Sequence, residues 1–260
     1  MQLFVVGAPR SGTTIVTQFL NCHHQIKLFD EIDLIGAVRI GRLAGGLEGF
    51  LRERGVYETY RRCAEKTGDP PAALHAIMNE IVRPCTIWGE KNPWYAARLH
   101  QLTGMFPDAA VLFVLRDPRE VVNSVLLRRN SPQRRPLDFW IKDTVAEALA
   151  LLHRFLQPLM SGGAAPAVAR YEDFVAQPAA ALDAALGRWG LTFSDTAAGI
   201  AHPPPETVGD GQFFRDGAVL PWKAGNLRPL RRVIPARDRI DADDPAWAQV
   251  DALARHFGYD

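Results

Sequence analysis

Residues 109–116, AAVLFVLR, constrain the fold more than any other stretch of this chain. The apolar run has no polar alternation, so a strand built from it is covered on both faces. Asp117 and Pro118 follow at once and read as an N-cap and a first helical residue. REVVNSVLLRR then continues as a helix. A buried strand feeding directly into a helix belongs to a parallel sheet, and the rest of the chain repeats the pattern. QLFVV runs into Gly7, and TTIVTQFLN, from Thr13, places Ile15, Val16, Phe19 and Leu20 at helical spacing. QIKLF (25–29) reads as a short extended piece, followed by a helix carrying Ile32, Leu34, Ile35 and Val38.

Further along, PPAALHAIMNEIVR (70–83) is a helix opened by proline, CTIWG (85–89) a strand, and NPWYAARLHQLTGMF (92–106) a helix. LDFWIKDTVAEALALLHRFLQPLM (137–160) predicts a long amphipathic helix, AVARY (167–171) a strand, and residues near 178–189 a helix. PAWAQVDALARHFGYD closes the chain as a helix. Residues 41–70, rich in Gly and charge, carry no readable period. This alternation predicts an α/β fold with three layers, a central parallel sheet flanked by helices. With 260 residues, no internal repeat and no linker, one domain over 1–260 is expected. Residues 201–226 are rich in Pro and Gly, and a loop this long inside a domain is expected to serve function.

A net charge of +1 gives no global pull toward nucleic acid or an anionic membrane, so any anion site must be local. The three cysteines, Cys22, Cys63 and Cys85, lack the number for a full disulfide framework and the spacing for zinc. They read as buried, reduced thiols of a cytoplasmic protein. MQLFVVGAPR does not read as a signal peptide, so none is expected, and no window approaches the roughly 20 apolar residues of a membrane span. Richness in Ala and Arg suggests a GC-rich bacterial genome.

Between the first strand and the first helix lies GAPRSGTT (7–14). Gly7 and Gly12 have the spacing of a P-loop, G-x-x-x-x-G-K-[ST], and Thr14 fills the hydroxyl position, so the fold is expected to be of P-loop type. Thr13 stands where the lysine belongs. A Gly-rich loop at a helix N-terminus points backbone N–H groups and the positive end of the helix dipole at one anion. Without the lysine, the group that reaches the β- and γ-phosphates of ATP is missing. Arg10 adds a guanidinium instead, which suits a less extended anion that carries no magnesium. A second anion site is expected where Arg116 ends its strand, because ligands of open α/β sheets sit at strand carboxyl ends. Ser124 and Arg128, four apart on the following helix, would join Arg116 on one phosphate.

Taken together, these segments resemble the sulfotransferases that use 3′-phosphoadenosine-5′-phosphosulfate (PAPS). PRSGTT is similar to their 5′-phosphosulfate loop, and VLRDPREVVNSVLLR (114–128) to their 3′-phosphate motif. GEKNP (89–93), FPDAAVLFVLRDPR (106–119), RYEDF (170–174) and the terminal GYD extend the likeness to the tyrosylprotein branch and its bacterial relatives. It spans roughly residues 3–190 plus the tail and fades over 41–70 and 195–225. The resemblance implies PAPS as co-substrate, 3′-phosphoadenosine-5′-phosphate (PAP) as product, and no metal. It implies that Arg10, Ser11, Gly12, Thr13 and Thr14 hold the 5′-phosphosulfate, that Arg116, Ser124 and Arg128 hold the 3′-phosphate, and that Tyr171 lies near the nucleotide. A basic residue of 209–226, Lys223 or Arg215, is implied to close over it.

Sulfuryl transfer to an alcohol needs a base, donors for the developing charge, and in-line geometry. Glu31, amid apolar residues in KLFDEIDLI, matches a region that supplies a catalytic glutamate in the family, and partial burial would raise its pKa. Asp30 is the alternative carboxylate, and His23 and His24 are rival bases that read better as a polar turn. Lys91 matches a catalytic lysine, implied to stabilise the bridging oxygen with help from Arg10. Its neighbour Glu90 departs from the family's usual residue. The acceptor is expected to be a hydroxyl of a small molecule, lipid or glycan, with residues 32–66 and 195–222 lining its pocket. Trp88, Trp94, Trp140 and Trp222 suit ring stacking or, more simply, core packing. Neither nucleic acid nor a membrane span is expected, and a homodimer is compatible. The rival functions are a small-molecule kinase of P-loop type and a non-catalytic nucleotide-binding module.

Overall fold

In the computed structural model five strands form one parallel sheet: β1 (Leu3–Gly7), β2 (Ile26–Asp30), β3 (Ile87–Lys91), β4 (Ala110–Leu115) and β5 (Ala167–Arg170). The structure describes residues 1–39, 43, 45–130, 140–161, 166–193 and 239–260. Strand order is β2-β3-β1-β4-β5. The strand after β2 returns to lie beside β1, and the next crosses to the far side of β1. The connections therefore diverge around the carboxyl end of β1, where an open α/β sheet leaves a crevice.

Side chains alternate across the strands and feed two cores. Phe4, Val6, Val111, Phe113 and Leu115 enter one, while Leu3, Val5, Ala110, Leu112 and Val114 enter the other. Every residue of β4 is buried, as a strand apolar throughout requires.

Helices α1 (Thr13–Leu20), α9 (Tyr171–Ala176) and α10 (Pro178–Leu186) cover the second core. On the first core lie α2 (Leu34–Arg39), α3 (Gly45–Glu53), α4 (Tyr57–Thr67), α5 (Pro70–Ile81), α6 (Leu99–Met105), α7 (Pro118–Leu126), α8 (Val145–Met160) and a C-terminal α11 (Trp247–His256).

Three helix expectations change. Residues 41–70 hold α3 and α4. The stretch 92–106 divides because the Asn92 side chain accepts from Trp94 N at 3.1 Å, starting a 3₁₀ turn over Pro93–Arg98 before α6 begins. The long helix starts at Val145, since Thr144 and Glu147 form a reciprocal capping box: Thr144 Oγ1 accepts from Glu147 N (3.2 Å) and the Glu147 carboxylate from Thr144 N (3.3 Å). Residues 140–144 lie outside it. The three thiols are free and partly rather than fully buried. Loop 201–226, with Lys223, Arg215 and Trp222, lies outside the described residues. No described helix is long and apolar enough to cross a membrane.

Candidate active site

Each strand delivers a polar residue to the carboxyl rim of the sheet. In spatial order these are Glu31 after β2, Lys91 ending β3, the 8–12 loop after β1, Arg116 after β4, and Tyr171 after β5. The array follows from parallel strands, which put all their carboxyl ends on one edge.

The loop after β1 is held by close contacts. Ser11 N donates to Ala8 O at 3.1 Å, and the turn uses left-handed backbone at Arg10 (φ 73°) and Gly12 (φ 98°). Gly12 is required on two counts, since its φ favours glycine and a Cβ there would run into the Tyr171 ring. Helix α1 begins on Gly12 with no side-chain cap, so its first N–H groups are free to meet an anion. Ser11 Oγ is buried and has no hydrogen-bond partner among the described residues, although buried hydroxyls ordinarily have one.

Arg10 joins this loop to the β4 side. Its Nε donates to Ser124 Oγ at 3.0 Å, and Arg116 Nη1 donates to the Arg10 carbonyl at 3.2 Å. Burial, then the charges of Arg128 and Arg116, lower the Arg10 pKa to about 10. Arg10 thus remains cationic at neutral pH, yet repelled by its neighbours. The sequence sets Arg10 apart from Arg116, Ser124 and Arg128, but the structure gathers all four into one cluster. Arg128 sits just past the end of α7, in a turn in which its N donates to Val125 O at 3.1 Å. Arg116 also donates to Glu120 (3.3 Å) and lies 4.8 Å over the Tyr171 ring, while its Nε is buried without a partner among the described residues.

The corner after Arg116 is braced from the chain terminus. Glu172 accepts from Asp117 N (3.1 Å) and from Tyr259 Oη (3.0 Å). Arg170 donates to Phe257 O and Arg119 to Asp260 O (2.9 Å). Arg119 pairs with Asp117 at 2.7 Å.

On the β2–β3 side, the Lys91 ammonium is buried and ion-paired with Asp30 and with Glu31, the latter at 2.6 Å. Burial opposes its charge, but the two carboxylates outweigh burial and raise its pKa above the ordinary value. Asp30 is 7% exposed and Glu31 43% exposed, so Glu31 presents its carboxylate outward from the rim rather than lying amid apolar residues. Glu31 precedes α2 and stands in left-handed backbone at φ 53°.

His23 and His24 lie elsewhere. They follow the C-terminus of α1 and precede β2, which puts them at the opposite rim. They stack on each other (4.7 Å), and His23 Nδ1 accepts from Gln25 N at 3.2 Å, the polar turn of the sequence reading. Trp88 is core, its Nε1 donating to Asn79 at 2.8 Å, and Trp94 packs on Phe155. Trp140 lies 5.8 Å from the Arg10 guanidinium, a pairing across 130 residues of chain that no local motif could announce. Glu90, which the sequence marks only as a departure from the family's usual residue, and Tyr95, which no motif marks, meet each other and the residues just after Glu31. Among the described residues no group of three or more His, Cys, Asp or Glu could hold a metal ion.

The sequence model of the sulfotransferase family matches residues 2–195. Protein-tyrosine sulfotransferase 2 of Gallus gallus is 25% identical over 202 residues, 75% of this chain and 52% of that protein. Protein-tyrosine sulfotransferase 1 of Homo sapiens is 27% identical over 135 residues, 49% of this chain and 34% of that one. The chain therefore matches about half or less of the length of these curated relatives. Among solved structures, the sulfotransferase domain of the Synechococcus PCC 7002 olefin synthase aligns with a TM-score of 0.69 at 18% identity, covering 100% of this chain and 95% of that one. The sulfotransferase domain from the curacin biosynthetic pathway aligns at 0.66 and 16%, covering 99% and 97%. These structural likenesses share the three-layer fold. With the family model spanning most of the chain and the rim residues at its strand ends, this protein belongs to the sulfotransferase family.

Proposed function

We propose that this protein transfers a sulfuryl group from PAPS to a hydroxyl acceptor, with Glu31 as general base and Lys91 and Arg10 as charge-stabilising donors. The observation that carries this reading is the Glu31–Lys91 pair, 2.6 Å apart, on the same rim as a cluster of guanidiniums. That rim fits a nucleotide with two separate anionic groups. Ser11 Oγ and Arg116 Nε are buried polar atoms without partners among the described residues, and Arg10 is repelled by Arg116 and Arg128. Ser11, Gly12 and the Thr13 and Thr14 hydroxyls would hold the 5′-phosphate; Arg116, Ser124 and Arg128 would hold the 3′-phosphate, with Tyr171 beside them. Lys223 or Arg215 would cover the nucleotide.

Bound PAPS supplies an activated sulfuryl group, whose bond to the 5′-phosphate oxygen breaks as the acceptor oxygen bonds to sulfur. Glu31 takes the acceptor's proton, for which its exposed carboxylate is accessible. Lys91, kept protonated by Asp30 and Glu31, donates to the oxygen that leaves. Arg10 adds charge from the loop side. The acceptor is a small-molecule, lipid or glycan hydroxyl, a reading supported by a bacterial style of composition rather than by any bound group.

Mass spectrometry of metabolite extracts incubated with the protein and PAPS tests this. A metabolite that gains one sulfuryl group as PAP forms supports it and names the acceptor. Intact PAPS throughout, or phosphoryl gain with ATP and magnesium instead, would overturn it.

A further inference from the structure

Glu90 neighbours Lys91 on β3, and strand alternation turns it to the other face of the sheet. It is fully buried, yet among the described residues it contacts no cation. Four donors converge on its carboxylate instead. Asp33 N reaches Oε1 at 2.7 Å and Asn92 Nδ2 reaches it at 3.2 Å; Leu34 N reaches Oε2 at 3.0 Å and Tyr95 Oη reaches it at 2.6 Å. The Tyr95 hydroxyl in turn accepts from Ile35 N at 3.1 Å.

These contacts lie on the turn that carries Glu31. Glu31 and Asp33 both occupy left-handed backbone, φ 53° and 59°, which non-glycine residues keep only when their surroundings impose it. Two consecutive β3 residues impose it here. Lys91 O accepts from Glu31 N at 3.0 Å at the start of the turn, and the Glu90 carboxylate receives Asp33 N and Leu34 N at its end.

We propose that Glu90 is a positioning residue whose ionised carboxylate fixes the 31–34 turn and thereby holds the Glu31 carboxylate against Lys91. The inference rests on the reading of Glu31 as general base. All four groups around Glu90 are donors to it, so its charged form satisfies them and its protonated form adds a donor among donors. The titratable groups facing this cluster are Tyr95 and Asp33. Arg98 stands behind them, 5.7 Å from the Tyr95 ring and 3.7 Å from Asp33, and Lys91, Asp30 and Glu31 lie across β3. Burial raises the Glu90 pKa to about 7 against the pull of its hydrogen bonds, so its charge changes near neutral pH.

The test combines amide hydrogen-exchange protection of residues 33–35, PAP titration, and PAP release from PAPS in metabolite extract, on wild type, Glu90→Gln and Tyr95→Phe. In Glu90→Gln the side-chain NH₂ faces a donor. Protection of the 33 and 34 amides is expected to fall at least tenfold and kcat at least tenfold, with PAP affinity and KM for PAPS within about twofold. Tyr95→Phe should shift both in the same direction by less. Unchanged protection, faster exchange with unchanged kcat, or a loss of PAP binding that parallels the loss of kcat would each overturn the positioning role. A wild type that exchanges as described but never consumes PAPS would overturn the Glu31 reading, and leaves the hold of Glu90 on the turn measured by the amides.

Discussion

Glu31 and Lys91 form an ion pair at 2.6 Å, and its two sides are expected to answer differently to substitution. Glu31 is exposed, so Glu31→Gln would remove the proposed base without opening a cavity. Turnover is expected to fall roughly 10²–10⁴-fold while PAP binds with unchanged affinity, as steady-state rates and calorimetry would read. A retained rate would move the base to another group. Lys91 is buried between two carboxylates, so removing it strands Asp30 in the interior and mixes stability with catalysis. The resemblance to the family singled out both residues in the sequence, and the structure puts them at the carboxyl ends of β2 and β3, where they pair. It did not single out Glu90 for a role. Its partners Asp33 and Leu34 lie 57 and 56 residues upstream, and an acid beside a lysine reads as a surface ion pair until the strand turns the two to opposite faces.

Elements that fold on local signals were the legible ones. The buried run of β4 and the Gly-rich turn into α1 declare themselves within a few residues. The boundary of α8 did not, because apolar periodicity continues through 137–144 while the Thr144–Glu147 box decides where hydrogen bonding begins. Thr144→Ala should therefore destabilise the fold by about 1 kcal/mol, read as a shift of the urea midpoint with an unchanged slope. A change much smaller than this would mean that packing of α8 on the first core sets its start. Gathering Arg10 with Ser124 depends on contacts more than a hundred residues apart, and a sequence can list such residues without fixing their pairing.

For the molecule as a whole, the rim holds charges that folding alone leaves poorly compensated. Glu90 has a folded pKa of about 7 against an ordinary 4.5. The folded state therefore holds a proton that the unfolded chain releases as pH rises from 4.5 to 7, and this group's contribution to stability falls across that window. Below pH 4.5 the carboxyl is protonated in both states and that contribution is present in full. The cost of Glu90→Gln should accordingly shrink as pH rises from 4.5 to 7, by roughly 3 kcal/mol from the pKa difference, which paired urea titrations would show. A cost independent of pH would mean that Glu90 does not titrate in that range.

Arg10, Arg116 and Arg128 make the complementary case, since an anion relieves their repulsion and binding stabilises the fold by mass action. The central claim is that this rim binds a nucleotide carrying a 3′-phosphate. Calorimetric titration of the wild-type protein with PAP and with AMP tests it directly and needs no acceptor. Charge-assisted hydrogen bonds of about 1.5–3 kcal/mol each predict that PAP binds at least roughly tenfold tighter than AMP. Equal affinity for the two would contradict the account.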